Sequence, residues 1–201
     1  MDNCVWIVLV LPLLLFCSVM CIFIRYYENK IECIERECMY KYMTNFVTKQ
    51  PNRWKLTKDF EKYLKRDFFK FYFLDIDNFK KINDKFGHIQ GDKVLFMIAE
   101  SLSKLDKRIK LYHISGDEFC IVALCEPKDV EEIEKKITTF KLTVKLPLGE
   151  SITEEICIKV SVGSSQFPLD GQDYDTIVRV ADLDMYKHKS NSCCKNCKNR
   201  K

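Results

Sequence analysis

Apolar stretches that end abruptly in acidic residues occupy the middle of this chain. Residues 71–74 are continuously apolar and lead into Asp75 and Asp77, a pattern that predicts a buried strand with carboxylates at its end. Residues 111–124 carry apolar runs on both sides of a Ser-Gly-Asp-Glu segment, which predicts a hairpin with Gly116 in its tight turn. If the hairpin pairs beside the first strand, its carboxylates lie next to Asp75.

This grouping of carboxylates predicts a bound cation. Like charges at neighbouring strand ends destabilise one another unless a cation neutralises them. Mg²⁺ suits such a place, because proteins hold it with a few carboxylates and leave other positions to substrate phosphates. The acids that the pattern brings together are Asp75, Asp117 and Glu118.

The remaining apolar positions recur mostly at intervals of three and four residues and predict helices around this centre. Residues 92–105 form the clearest helix, and Asp92 falls in its first turn, where the helix dipole favours an acid. The succession of strand, two helices, hairpin, helix, strand and helix is typical of an α+β fold. The other predicted elements are a helix after Arg53, a helix and turn over 80–91, a helix over 128–142, a strand over 156–166 and a helix over 173–189.

Residues 5–24 contain no charged side chain, and twenty residues at about 1.5 Å each span a hydrocarbon core of about 30 Å. Asp2 precedes this run without any Lys or Arg, which argues against a cleaved signal peptide. Arg25 and Lys30 follow it, so the positive-inside rule places the rest of the chain in the cytoplasm. We therefore expect residues 1–25 to be a single-pass signal anchor in the cell (inner) membrane.

Residues 26–44 are polar except for apolar residues at helical spacing, which predicts a linker helix with one apolar face. The same spacing suits a short coiled coil that would align two copies of the chain. A solvated linker helix is the alternative interpretation. The apolar positions are Tyr27, Ile31, Ile34, Cys38 and Tyr42.

The net charge of +4 is concentrated at the C-terminal end, because six cations and no acids from Lys187 onward leave −2 for the rest. A weakly acidic body without a nucleic-acid-binding motif argues against a nucleic-acid partner. Residues 191–201 predict a tail without regular structure. The tail holds one CxxC pair among the eleven cysteines of the chain, and a single pair predicts reduced cysteines rather than a zinc site.

Several stretches in a fixed order resemble the GGDEF domain of diguanylate cyclases. The resemblance covers about residues 45–190, and it implies an antiparallel-centred sheet with helices packed around it, similar to nucleotidyl cyclases and polymerase palms. A transmembrane helix would precede that domain here. The stretches are Asp75-Ile-Asp-Asn-Phe-Lys-Lys-Ile-Asn83, Phe86-Gly-His-Ile-Gln-Gly-Asp92, Ser115-Gly-Asp-Glu-Phe119, Val160-Ser-Val-Gly163, Phe167-Pro168 and Arg179-Val-Ala-Asp-Leu-Asp-Met-Tyr186.

The resemblance implies a catalytic centre that joins two GTP molecules into cyclic di-GMP and releases pyrophosphate. Such an enzyme acts as a homodimer, because each half-site binds one GTP. The implied ligands of two Mg²⁺ (or Mn²⁺) ions are Asp75, the backbone carbonyl of Ile76 and Asp117, with Glu118 at or beside the metals. Asp117 or Glu118 would be the base for the ribose 3′-hydroxyl, and the sequence does not separate these two roles.

The resemblance also implies a set of substrate contacts. Asn83 and Asp92 match positions that read the guanine edge, and an Asp that accepts from two guanine N–H groups rejects adenine. Lys80 and Lys189 match cations that contact phosphates, and Gly116 leaves the turn open for a ligand.

Four places depart from the family pattern. In the loop at the domain entrance, Asn45 replaces an acid and Lys49-Gln50 replaces Gly-Leu. Ser115 replaces a glycine, which is tolerated if its φ is negative, and Cys193 replaces an arginine that contacts phosphate. Asp106-Lys-Arg-Ile109 stands where an inhibitory Arg-x-x-Asp site is expected, so we predict that the product does not inhibit the enzyme through that site.

Plainer interpretations of single residues stay open at this point. Asp77 with Asn78 could cap the next helix, Lys189 could be one more tail cation, and His88 and His113 are predicted to be structural. The alternative function is a degenerate, non-catalytic domain that binds GTP or partners and regulates another protein. A membrane interaction module with a palm-like fold is a third reading, but it leaves the acidic cluster unexplained.

Overall fold

A computed structural model describes residues 2–147 and 153–197 of the chain, with side chains described between residues 12 and 189. The chain forms two compact units, Met1–Tyr42 and Met43–Lys201. The sequence predicts the start of the catalytic domain at residue 45.

The first unit is formed by the helix α1, which covers Asp2–Met43 and includes most of the residues predicted to form a linker helix over 26–44. Its apolar positions Tyr27, Ile31 and Ile34 are each more than half exposed. Within the described part of the chain, no helix has both the length and the apolar character that a membrane crossing requires. The side chains of residues 5–11 lie outside that part, and a membrane span over 5–24 stays a prediction.

The second unit is built on a five-stranded sheet in which all neighbouring strands are antiparallel, as the family resemblance predicts. The strand order is β2-β3-β1-β5-β4. The strands are β1 (Phe69–Ile76), β2 (Ile109–Ser115), β3 (Glu118–Ala123), β4 (Lys141–Pro147) and β5 (Thr153–Phe167). The helices are α2 (Arg53–Tyr63), α3 (Phe79–Phe86), α4 (His88–Ser103), α5 (Val130–Thr138) and α6 (Tyr174–Cys197), with a 3₁₀ turn at Pro127–Asp129.

Strand β1 lies at the centre of the sheet and is buried on both faces, which explains its uninterrupted apolar sequence. Its side chains point alternately to the two faces of the sheet. One face, which packs beside α2 and α6, carries Phe69, Phe71 and Phe73. The other face, which packs beside α4, carries Tyr72, Leu74 and Ile76. Because successive side chains of a strand point to opposite faces, Asp75 continues the series that faces α6. The fold thereby directs the acid at the end of β1 toward that helix.

One strand differs from the sequence prediction. The helix predicted over 128–142 ends at Thr138, and residues 141–147 form the edge strand β4, paired with β5. Leu142, Val144 and Leu146 occupy alternate positions, which is the period of a strand rather than a helix. The prediction extended the helix four residues too far, to 142 instead of Thr138, and missed this strand.

Two helix boundaries also differ from the prediction. Helix α4 begins at His88, directly after Gly87, whose φ of 82° lets the chain turn sharply out of α3. Asp92 therefore lies beyond the first turn of α4, and the predicted stabilisation by the helix dipole is wrong. The sequence predicts no regular structure from residue 191, but α6 continues to Cys197; residues 198–201 lie outside the described part.

Candidate active site

The acids of the hairpin lie beside the acid of the central strand, as the sequence predicts. Strands β1 and β3 pair in a register that sets Asp75 opposite Glu118. The backbone N–H of Ile76 donates to the carbonyl oxygen of Asp117 at 3.2 Å, which ties the turn to the end of β1. Opposite residues of an antiparallel pair share a face, so Asp75 and Glu118 both lie on the α6 side of the sheet.

The turn between β2 and β3 is tight, with Gly116 and Asp117 between the paired residues Ser115 and Glu118. Gly116 has a φ of 49°, a conformation that glycine adopts without strain. The described non-glycine residues with positive φ are Lys49 and Asn78, so the condition for tolerating Ser115 is met. The Ser115 hydroxyl donates to Glu118 Oε2 at 2.6 Å and holds that carboxylate over the turn.

Lys189 of α6 reaches the acidic cluster across the face of the sheet. Its Nζ lies 2.6 Å from Asp75 Oδ1, and the Asp75 side chain is only 12% exposed. Burial raises the pKa of the Asp75 carboxyl, the Lys189 ammonium opposes this, and the charge of Asp117 adds to it, so the net shift is upward. The protein's own cation thus partly neutralises the carboxylate that is predicted to bind metal.

The donor set fits Mg²⁺ or Mn²⁺ once substrate phosphates contribute. Among the described residues, no three His, Cys, Asp or Glu side chains gather into a complete metal site. Mg²⁺ does not require one, since it is commonly held by one or two carboxylates, water and phosphate oxygens. Lys189 Nζ already pairs with Asp75 Oδ1, so a metal ion at Asp75 must share this carboxylate with the ammonium or displace it. Asp75, the Ile76 carbonyl, Asp117 and Glu118 are the residues that could hold the ion.

Asn83 and Asp92 lie on the neighbouring helices α3 and α4. The side-chain oxygen of Asn83 is buried and has no hydrogen-bond partner among the described residues. Gly91 packs directly against this oxygen, because a Cβ at residue 91 would overlap Asn83 Oδ1. A buried acceptor without a partner carries a desolvation cost that a donor on a ligand would remove, and guanine carries such donors on one edge.

An apolar recess of about 430 Å³ adjoins Asp92. Its other walls come from the loop before α2 and from the exposed side of α4. An apolar-walled recess beside an exposed carboxylate suits a planar base that offers N–H donors at its edge. Asp92 lines this recess and Asn83 does not. The wall residues are Phe46, Val47, Lys93, Phe96 and Met97.

Gly91→Ala tests whether the position of Asn83 sets the affinity for guanine nucleotide. The added methyl group must displace the Asn83 side chain, so we expect the KM for GTP to rise about tenfold, which corresponds to about 1.4 kcal/mol. The fold should hold, because alanine is favoured over glycine inside a helix by about 1 kcal/mol. Glu100→Ala, on the exposed side of the same helix, is the matched control. An unchanged KM in Gly91→Ala would show that Asn83 does not read the base.

The other predicted residues take separate positions. Lys80 is exposed on α3, where a phosphate could reach it. Asp77 accepts from the Ser161 hydroxyl at 2.6 Å, and its N–H donates to Lys159 O at 3.0 Å, so β5 holds this acid in place. The alternative interpretation, in which Asp77 with Asn78 caps the next helix, is not observed, since Asn78 precedes α3 without a side-chain capping bond.

Hydrogen bonds of Asn45 organise the entrance loop. Asn45 Oδ1 accepts from the N–H groups of Val47 and Thr48 at 2.9 and 3.0 Å. A carboxylate oxygen at this position could accept the same two hydrogen bonds. The Thr48 hydroxyl lies 3.0 Å from His113 Nδ1. The sequence analysis missed this contact, because the two residues stand 65 positions apart and no local pattern joins them.

A compact ion network occupies the place of the expected inhibitory site. Arg108 donates two hydrogen bonds to Asp106, each 2.8 Å long, and also lies within 3.1 Å of Glu132. Lys136 contacts Asp106 at 3.0 Å. The hydrogen bond from Arg108 is the main reason that the pKa of Asp106 falls well below its usual range. The guanidinium at this site is therefore already engaged by acids of the same domain.

Comparisons with known proteins agree with this geometry. The family model described as diguanylate cyclase, GGDEF domain, matches residues 43–193. The chain belongs to the GGDEF domain family. Its sheet also resembles that of the coiled coil and GGDEF domain of DgcB from Caulobacter crescentus, solved in complex with cyclic di-GMP, with a TM-score of 0.65. That match covers 88% of this chain and 95% of the other at 22% identity, and it shows the fold alone.

Curated GGDEF relatives carry different activities in their names. The chain is 32% identical over 119 residues to the diguanylate cyclase DgcP of Escherichia coli (strain K12), across 58% of this chain and 34% of DgcP. It is 35% identical over 119 residues to the cyclic di-GMP phosphodiesterase PdeR of the same organism, across 58% of this chain and 17% of PdeR. The chain thus spans about a third or less of the length of these relatives.

Proposed function

We propose that this chain is a membrane-anchored diguanylate cyclase that condenses two GTP molecules into cyclic di-GMP and pyrophosphate. The observation that carries the proposal is the pairing of Asp75 with Glu118 at the end of the central strands. The backbone hydrogen bond from Ile76 N–H to Asp117 O places a third acid, Asp117, beside these two. This acidic edge, formed by Asp75, Asp117 and Glu118, stands on the sheet of a GGDEF domain.

Each residue has a definite task in the proposed reaction. Asp117 or Glu118 accepts the proton of the ribose 3′-hydroxyl, whose oxygen attacks the α-phosphate of the second GTP while pyrophosphate departs. Asn83 and Asp92 bind the guanine edge, and Lys80 and Lys189 bind phosphate oxygens. When bound at the acidic edge, Mg²⁺ or Mn²⁺ supplies the positive charge that offsets the charge of the triphosphates. A second such sequence of steps closes the ring.

A homodimer is part of the proposal, because one chain offers one acidic edge and the product needs two phosphodiester bonds. The apolar face of α1 supports it, since Tyr27, Ile31 and Ile34 are exposed on one helix at coiled-coil spacing. Membrane anchoring rests on the uncharged residues 5–24, which would hold the two catalytic units on the cytoplasmic side.

The ion network predicts a cyclase that its product does not inhibit through the Arg-x-x-Asp position. Arg108 is held by Asp106 and Glu132, and freeing it for a phosphate would leave Lys136 as the remaining cation for both carboxylates. We expect the initial rate of GTP turnover to stay within about twofold when excess cyclic di-GMP is added, a change below about 0.4 kcal/mol. A GGDEF cyclase that carries the motif is the control. Strong inhibition in this protein would contradict the prediction.

The alternative is a GGDEF domain that binds GTP and regulates another protein without turnover. One observation favours it: Lys189 already neutralises Asp75, the carboxylate that a metal ion would need. Cys193 also stands in place of an expected phosphate-binding arginine. Parallel measurements of Mg²⁺-dependent GTP binding and of cyclic di-GMP formation separate the two functions. Binding with product supports the cyclase, and binding without product supports the regulator.

A further inference from the structure

The loop at the domain entrance is a closed structure that directly follows α1. Asn45 N–H donates to Gln50 O at 2.8 Å, and Asn52 N–H donates to Met43 O at 2.9 Å, so hydrogen bonds within the second unit tie the two ends of the loop together. The Thr48 side chain points inward and is only 1% exposed. The loop is thus a defined element whose position depends on internal hydrogen bonds.

His113 joins this loop to the strand before the catalytic turn. Its backbone N–H donates to Pro51 O at 2.8 Å, and its Nδ1 lies 3.0 Å from the Thr48 hydroxyl. On the other side of the ring, Nε2 lies 3.0 Å from the carbonyl oxygen of Gly116. One buried side chain, 3% exposed, therefore contacts both the entrance loop and the turn that carries Asp117.

The two contacts determine the tautomer of His113. The Gly116 carbonyl can only accept, so Nε2 must carry the proton and donate it. Nδ1 is then free to accept from the Thr48 hydroxyl at 3.0 Å, and Asn45 Oδ1 at 3.3 Å is the other acceptor within reach of that hydroxyl. Burial lowers the pKa of His113, although the Gly116 carbonyl and the charge of Asp117 oppose the shift, which favours this neutral form. The ring is further held by stacking on Phe119, with centroids 4.5 Å apart.

We propose that His113 is a positioning residue for the reaction: it fixes the Gly116 carbonyl, and through it Asp117, at a position set by the entrance loop. The inference rests on the proposed function, because the group that it positions is the acidic turn. It also gives the site a path for regulation, because the loop that follows α1 contacts the turn through Thr48 and His113. A displacement of that loop would move the catalytic acids.

His113→Phe in the full chain is the decisive variant, because phenylalanine keeps a ring against Phe119 and removes both hydrogen bonds. We expect kcat to fall about 10- to 100-fold, the scale on which misplaced catalytic groups lose rate, while the KM for GTP changes less than about threefold. His113→Gln should recover most of the rate, since its amide N–H can still donate to Gly116 O. Thr48→Val should lower kcat less, and adding it to His113→Phe should cost less than the same change costs in the parent.

Hydrogen exchange gives a second readout that does not require catalysis. The Ile76 amide donates to Asp117 O, whereas the Asp77 amide donates to Lys159 O on the other neighbouring strand. If His113 orders the turn, His113→Phe should speed exchange at Ile76 by about tenfold and leave Asp77 unchanged. Parental kcat per folded molecule, or equal effects at both amides, would overturn the proposal.

The two readouts also separate this inference from the proposed function. If the parent forms no product but His113→Phe speeds hydrogen exchange only at Ile76, the result supports the role of His113 and contradicts the cyclase. An active parent whose His113→Phe variant is equally active supports the cyclase and contradicts the role of His113.

Discussion

Asp75→Asn is expected to abolish cyclic di-GMP formation, with a loss in kcat of at least about 10³-fold. The substitution keeps the size of the side chain but removes the negative charge that the proposed metal site needs, and charge-stabilising groups of this kind are worth several kcal/mol in catalysis. Lys189 loses its partner but is about half exposed, so its ammonium can turn into solvent and the fold should hold. Rates of product formation by parent and variant at saturating GTP and Mg²⁺ measure the effect.

Asp77→Asn is the matched control for this experiment. Asp77 stands two residues further along the chain and carries the same charge, but its carboxylate is bound by the Ser161 hydroxyl of β5. An asparagine oxygen can accept the same hydrogen bond, so we expect a loss of less than about tenfold, or 1.4 kcal/mol. Equal losses in the two variants would show that a general loss of negative charge, rather than a site at Asp75, reduces the rate.

Gly163→Ala is expected to have the largest effect on stability. Gly163 pairs with Phe73 at the centre of the sheet, on the face that α6 covers. A Cβ at this position would overlap Met185 N and Ala181 O and would lie 2.6 Å from Met185 Cα. These are backbone atoms of α6, so the clash can be relieved only by moving the helix that carries Lys189.

We expect Gly163→Ala to lower the free energy of unfolding by about 4 kcal/mol or more, a large part of the 5–15 kcal/mol that holds a typical domain together. At about 2–4 °C for each kcal/mol, the Tm should fall by roughly 10 °C, or the protein should be insoluble. Ser164→Ala is the control, because the N–H at residue 164 still donates to Asp184 Oδ2 at 2.9 Å. A Gly163→Ala variant with parental Tm would contradict the close packing of α6 on β5.

The sequence predicts the centre of the domain well because local pattern and local structure coincide there. The apolar run before Asp75 forms the buried strand β1, and the acids around Gly116 form the hairpin turn beside it. Strand β4 was not predicted, since its alternation starts only three residues after the end of α5 and continues the apolar spacing of that helix. The start of α4 was missed because Gly87 begins it without a side-chain cap.

The contacts that complete the site could not be predicted, because they join distant parts of the chain. Lys189 meets Asp75 across 114 positions, and the sequence assigned each a separate role without placing them together. His113 shows no distinguishing pattern in the sequence, and only the fold brings its ring between Thr48 and Gly116. The sequence therefore provides the residues of the acidic edge, whereas the tertiary structure determines what neutralises and positions them.

The most direct test is to incubate the purified full chain, in detergent micelles, with GTP and Mg²⁺ and to measure cyclic di-GMP, with Glu118→Gln treated in the same way. Glu118 lies opposite Asp75 in the paired strands, and the substitution removes its charge without changing its length. We expect product from the parent and none from the variant. Mg²⁺-dependent, saturable GTP binding by a dimeric parent that forms no product would contradict the cyclase and leave a GTP-binding regulator.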